Sequence, residues 1–324
     1  MATLNGTAHP IFDVAAVVGP VNITTVVTAL LFGCSIIQTY IYYGAFAKDR
    51  HIIKIMVVAV MILELAHLAC AVDSMWYLSI TVYVNPQKLA VWPVSGILMV
   101  PITVVIRFLV QFYFTFRLWK LSDATLLSIS CTILSLVAAA TGFAVAGTAF
   151  GMTDLNDYCA TQRPLITLFL VSQAVADATI TLALVYHLRQ KRVMAFSRTA
   201  TSIDKLILWT AETGFVSSTL AILIVIFFLT LEQTYVWNAL YVCFGSVYAN
   251  SFLAMLNGRL IIRAIMSEGA YELETKVHTS PEGRNSAGTR LLFVTDIYRT
   301  AGHQINQGKD SNETQVAAGS TPRQ

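Results

Sequence analysis

Six ionisable side chains interrupt the apolar runs of this 324-residue chain: Glu64, His67, Asp73, Arg107, Asp177 and Glu212. A charge in hydrocarbon is costly, so each is a candidate for a ligand, ion or proton site. Glu64-Leu65-Ala66-His67 puts a carboxylate and an imidazole on one helical face. Di-iron bundles use that spacing, but they need a second copy and further Glu ligands. Only one copy occurs, so no metal is expected, and His67 reads as an interior histidine satisfied by its neighbours. Glu64 and Arg107 fall at similar depths in consecutive apolar runs, which predicts a Glu64–Arg107 ion pair. Asp177 is close in depth, and Glu212 lies nearer the run's end. Three carboxylates facing one Arg would leave two negative charges, balanced by raised carboxyl pKa values or a cation. Two readings stay open: pairing that fixes helix register, or a site for a ligand, ion or proton.

These residues need helices to hold them. Hydrophobic residues make up 56% of the chain and charged residues 12%. A soluble domain carries roughly 25% charged residues, so lipid is the expected solvent. A membrane helix takes about 20 apolar residues, and seven stretches qualify: Val21–Phe46, Ile55–Leu78, Pro93–Phe116, Ala124–Phe150, Pro164–Leu188, Leu206–Thr230 and Val236–Asn257. Aromatic residues flank them, as at Tyr42, Trp76, Trp92, Trp119, Trp209 and Trp237, the level at which amphipathic rings collect. The expected fold is all-α: a seven-transmembrane helix bundle. Small-xxx-small pairs at Ala29/Gly33, Gly147/Gly151 and Gly245/Ala249 predict close internal packing. Pro93 and Pro101 predict a kink near Arg107.

Basic residues fix the expected orientation. Lys48, Arg50, Lys54, Arg117, Lys120, Arg189, Lys191, Arg192, Arg198, Lys205, Arg259 and Arg263 lie on one side, and only Lys88 and Arg163 on the other. The positive-inside rule then puts the amino terminus outside and the carboxyl terminus in the cytosol. Residues 1–20 form an extracellular segment with a glycosylation sequon at Asn5. Residues 21–257 form the bundle, and 258–324 a largely disordered, flexible cytosolic tail. A short interfacial helix is expected over Leu260–Met266. No cleavable signal, lipidation signal or internal repeat is present. The plasma membrane is the expected location, with another endomembrane as the alternative.

Several functions are excluded. The five cysteines are scattered without a CxxC pair, which removes zinc ribbons and thioredoxin-like redox chemistry. Val236–Asn257 contains no Lys, so no retinal Schiff base can form. The acidic-Arg-aromatic triplet and the Asn-Pro pair of rhodopsin-like receptors are missing: the third run ends Phe114-Thr115-Phe116-Arg117, and the seventh carries Asn250-Ser251. No HExxH site, P-loop or GxSxG elbow occurs. An enzyme, a cofactor and nucleic-acid binding are therefore not expected.

The motifs of the second half point to a family. They are Val175-Ala176-Asp177-Ala178 with Leu184-Val185-Tyr186-His187-Leu188, then Ile203-Asp204-Lys205-Leu206 with Trp209-Thr210-Ala211-Glu212-Thr213-Gly214. Tyr248-Ala249-Asn250-Ser251 and Leu256-Asn257-Gly258-Arg259 follow, and Tyr40-Ile41-Tyr42-Tyr43 with Lys48-Asp49-Arg50 fits the first cytosolic loop. In these the chain resembles the multipass membrane proteins of mushroom-forming fungi that carry a domain of unknown function across their last three helices. Gly258 departs from the Ala or Ser of that pattern. The resemblance implies seven helices, a fungal membrane protein and no established activity. It also implies that Asp177, Glu212 and Asn257 share an internal network. Asn250 joins Asn257 on one helix face, seven residues away.

Three functions compete. An orphan receptor-like sensor would bind an unknown small ligand and engage a cytosolic G-protein through the basic loop of Arg189, Lys191, Arg192, Arg198 and Lys205. A secondary or proton-coupled carrier would use the intramembrane carboxylates. A structural scaffold would bind a partner through its tail. The lipid bilayer is a partner in each.

Overall fold

The computed structural model describes residues 14–85, 92–121, 125–152, 154–193, 197–231 and 236–278. These are helical, with no strand among them. The helices are α1 (Val14–Ala45), α2 (His51–Trp76), α3 (Val82–Val84), α4 (Val94–Leu121), α5 (Thr125–Ala149), α6 (Leu155–Thr161), α7 (Arg163–Val193), α8 (Ser197–Thr230) and α9 (Val236–His278). A π-helical turn at Tyr77–Thr81 joins α2 to α3, and Val82 N–H donates to the Tyr77 carbonyl five residues back. Among the described residues, seven segments are long and apolar enough to cross a membrane: Val18–Ala45, His51–Val84, Val94–Leu121, Thr125–Ala149, Arg163–Val193, Thr210–Thr230 and Val236–Leu260. They fall where the seven apolar runs predict them, as in an integral, multi-pass membrane protein.

The helices close a ring in which α1 packs on α2 and α9, α2 on α4, α4 on α5, α5 on α7, α7 on α8, and α8 on α9. Two helices reach inward across it: α4 also meets α7 and α9, and α9 also meets α2. Burial follows this arrangement. In α9, 72% of the most apolar window is buried inside the protein, against 22% in the span of α8. Yet α9 has the lower mean hydropathy, 1.5 against 2.2. Lipid selects apolar side chains on the outer helices, whereas a helix enclosed by protein can carry polar groups that find partners there. The outer faces expose large apolar residues such as Ile23, Leu30, Ile37, Ile62, Leu65, Ile133, Leu182 and Ile222. In water such a belt would be untenable for a monomer; in lipid it is the solvated face.

Three expectations change. Of the two prolines, Pro93 precedes α4, and only Pro101 interrupts its backbone ladder. No separate interfacial helix begins at Leu260: α9 runs unbroken to His278. Gly258 costs a helix only about 1 kcal/mol, too little by itself to end one. The tail beyond residue 278 lies outside the described residues. Finally, a Cβ at Gly33 or Gly147 would meet nothing within 4 Å, and Ala29, Gly147 and Gly151 are exposed. Those two small-residue pairs face outward. The close approaches are at Gly96, against Trp92, at Gly142, against Val104 and Phe169, at Gly214, against Thr181, and at Gly245, against Thr103.

Candidate functional site

The centre of the bundle is an ion pair between α4 and α7. Arg107 Nη2 donates to Asp177 Oδ2 at 2.7 Å, and Gln111 Nε2 donates to Asp177 Oδ1 at 2.6 Å. Arg107 and Gln111 are four residues apart, so both reach the carboxylate from one face of α4. From α9, the rings of Phe244 and Tyr248 stand 4.6 and 4.8 Å from the guanidinium carbon. A desolvated guanidinium is stabilised by such ring faces by about 2 kcal/mol. Arg107 is 2% and Asp177 3% exposed. The predicted Glu64–Arg107 pair does not form. Depth was matched, but α4 turns Arg107 towards α7, and the carboxylate found there is Asp177.

The expected single network resolves into separate groups. Asn250 and Asn257 do share a face of α9, but it meets α1. Asn250 Nδ2 donates to the Leu31 carbonyl at 2.9 Å, Gln38 Nε2 donates to Asn250 Oδ1 at 3.0 Å, and Asn257 Nδ2 donates to the Gln38 carbonyl at 2.8 Å. Gln38 is the residue that sequence reasoning missed; a lone Gln in an apolar run was the available signal. Glu212 is exposed on α8, one turn from Trp209, and Asp73 is exposed on α2, close to Trp76. Both side chains face outward, so neither joins the central pair. Glu64 and His67 point inward from α2, 1% and 0% exposed. Neither ring nitrogen has a hydrogen-bond partner among the described residues, and the carboxyl group has the Ser246 hydroxyl as its polar neighbour. The satisfied histidine expected from the sequence is therefore not found.

Two pockets flank the ion pair. One lies at the end away from the basic loops, between α4, α5, α6, α7 and α9, a partly open cleft with about 620 Å³ of space between atoms, part of it open to the surroundings. Trp92, Tyr158, Phe169, Trp237 and Tyr241 supply its aromatic wall, and Asn238 and Cys159 its polar groups. Burial first, then the nearby Asp154 carboxylate, push the Cys159 thiol up to about 11. The Tyr241 hydroxyl is buried with no hydrogen-bond partner among the described residues. The second pocket, about 390 Å³, lies towards the basic end between α4, α7, α8 and α9, where Asp177, Gln111, Thr210 and Ser217 line it. Rings on α9 connect the two levels: Tyr241, met edge-on by Phe169 of α7 at 5.8 Å, lies 6.4 Å from Phe244, and Phe244 meets Tyr248 at 5.3 Å.

At the basic end, Arg259 Nη2 donates to Asp49 Oδ2 at 2.6 Å, and the guanidinium carbon lies 4.3 Å from the Phe46 ring centroid. The Tyr42 hydroxyl donates to the same carboxylate oxygen at 3.2 Å. The end of α9 is thus tied to the turn between α1 and α2. Of the basic loop expected between spans five and six, Arg189, Lys191 and Arg192 instead lie exposed on the last turns of α7, and Arg192 pairs with Asp204 on α8. The Arg198 and Lys205 side chains, and Asn5, lie outside the described residues. Among the described residues, no group of three or more His, Cys, Asp or Glu could hold a metal ion.

The family of unknown function DUF6534 matches residues 173–260, which run from Gln173 on α7 to Leu260 on α9. They include Asp177, Phe244, Tyr248, Asn250 and Asn257. No curated protein and no solved structure matches the chain.

Proposed function

We propose that the protein is a receptor-like membrane sensor, with its amino terminus outside and the basic loops in the cytosol. A small, mostly apolar ligand enters the aromatic pocket and acts on the Arg107–Asp177 centre beneath it. One observation carries this reading: the ring series Tyr241–Phe244–Tyr248 begins in the pocket wall and ends against the Arg107 guanidinium. A ligand that moves Tyr241 changes the ring faces that hold the cation. A cytosolic partner, a G-protein or a scaffold, would read the change at the exposed Arg189–Arg192 segment. The plasma membrane suits such a role.

The test is a thermal-shift screen of small apolar compounds on the purified protein in nanodiscs. Stabilising compounds should lose their effect in Trp237→Ala and Tyr241→Phe and keep it in Arg189→Gln. Stabilisation that ignores both pocket variants sinks the reading. Co-purification of a G-protein α-subunit, lost when Arg189, Lys191 and Arg192 are neutralised, tests the partner.

A carrier is the second reading, favoured by the pockets on opposite sides of one ion pair. It requires solute flux in proteoliposomes that Asp177→Asn abolishes.

A further inference from the structure

We infer that Glu64 and His67 form a buried proton-binding pair that holds one proton between its two side chains, independently of the aromatic pocket and of the Arg107–Asp177 centre. The two residues stand one turn apart on the inner face of α2, in the buried stripe Val57, Val60, Glu64, His67, Ala71 and Ser74. That spacing brings side chains within reach of each other by rotation. Both His67 ring nitrogens are buried without a hydrogen-bond partner among the described residues, and the buried Glu64 carboxyl has the Ser246 hydroxyl as its polar neighbour.

A bare carboxylate is the costliest occupant of such a place. A neutral acid beside a neutral imidazole costs less, and the two joined through a proton cost least, because a hydrogen bond then satisfies both. One proton makes the pair neutral in either form, carboxylic acid with imidazole or carboxylate with imidazolium. It comes from water and returns to water, and no other bond forms or breaks.

The surroundings leave the proton as counter-charge. Among the spans packed on α2, α1 contains no Asp, Glu, Lys, Arg or His. From α4, Arg107 is held by Asp177, and Arg117 and Lys120 lie towards its basic end. From α9, Arg259 is held by Asp49, and Tyr241 and Tyr248 are phenols. On α2 itself, Asp73 is exposed and Lys54 lies near the cytosolic start. No third ligand completes a metal site among the described residues. The Ser246 hydroxyl on α9 stands beside the Glu64 carboxyl. A hydroxyl donates to a carboxylate and accepts from an acid, so this group accommodates both forms.

The test combines infrared and histidine nitrogen NMR spectra of the full-length protein in nanodiscs at neutral pH. Two outcomes support the pair: a carboxylic-acid carbonyl band with a neutral His67, or no such band with a protonated His67. The acid band, where present, should shift in heavy water, vanish in Glu64→Gln, move in His67→Gln and persist in Trp237→Ala. Three outcomes overturn it: neither group protonated, an acid band unmoved by His67→Gln, or sodium-dependent thermal stabilisation that Glu64→Gln removes, which makes the site a cation site. If the variants do not fold, wild-type protein labelled at the glutamate carboxyl carbon gives the same reading, since an ordinary exposed glutamate is ionised at neutral pH.

Discussion

Arg107 Nη2 lies 2.7 Å from Asp177 Oδ2, and the two side chains are almost fully shielded from solvent. This joins α4 to α7 at the core of the bundle, between two pockets. The pair has two further supports, Gln111 on the carboxylate and two aromatic faces on the guanidinium. The carboxylate thus gains a second polar contact, while the guanidinium relies on the ring faces, its Nε and Nη1 having no hydrogen-bond partner among the described residues.

Breaking the pair from one side should cost far more than removing it. Asp177→Asn leaves a buried guanidinium uncompensated, and one-sided loss of this kind costs about 3–5 kcal/mol. The double variant Arg107→Met/Asp177→Leu should recover most of that. Thermal unfolding in detergent measures both; a double variant no more stable than Asp177→Asn would refute a primarily electrostatic role.

Glycine substitutions should separate the inward from the outward helix faces. A Cβ at Gly142 would stand 2.5 Å from Val104 Cγ2 and 2.6 Å from Phe169 Cε2, and one at Gly214 would run into Thr181. Gly142→Ala and Gly214→Ala should each destabilise by about 1–3 kcal/mol, the usual range for overpacking. Gly147→Ala meets nothing and should stabilise by up to about 1 kcal/mol through helix propensity. Equal melting temperatures for Gly142→Ala and Gly147→Ala would contradict the packing.

These contrasts mark what the sequence carries and what it does not. Span number and depth are legible, because hydrocarbon thickness imposes apolar length, and that is why all seven spans appear. Direction around the helix axis is not. Glu64 and Asp177 lie at similar depths, and only the packing of α4 on α7 selects Asp177 for Arg107. The same blindness put Gly33 and Gly147 inside when they face outward, and drew Glu212 into the centre when its side chain is exposed. Asn250 and Asn257 share a face, as their spacing requires, but spacing does not say that the face meets α1. The pocket is invisible for the same reason: Trp92, Tyr158, Phe169 and Trp237 come from four separate chain segments.

Releasing the basic end of α9 should loosen the first turn without unfolding the bundle. Arg259→Gln removes the ion pair with Asp49, whose side chain is 13% exposed beside an arginine that is 28% exposed. A charge-assisted bond partly open to water is worth about 1 kcal/mol. Amide hydrogen exchange across residues 46–50 should speed up, while the melting temperature falls only slightly. Unchanged exchange there would show that the pair does not hold the turn.

Cys159 offers a test of both chemistry and sidedness. Its thiol is raised from 9.0 to about 11 by burial and by Asp154. Only the thiolate reacts with maleimides. At pH 8 a thiol of 9.0 is about one-tenth thiolate, and one near 11 about one-thousandth, so labelling should be about 100-fold slower than for an ordinary exposed cysteine. The rate should rise about tenfold per pH unit and level off only near pH 11. Asp154→Asn removes the second cause and should raise the rate at pH 8. With a membrane-impermeant reagent, labelling should require access from the amino-terminal side, and a ligand held by Trp237 and Tyr241 should slow it. Mass spectrometry of the Cys159 peptide reads all of these. A rate at pH 8 matching a free thiol would place Cys159 outside the pocket wall and remove one support for a binding site there.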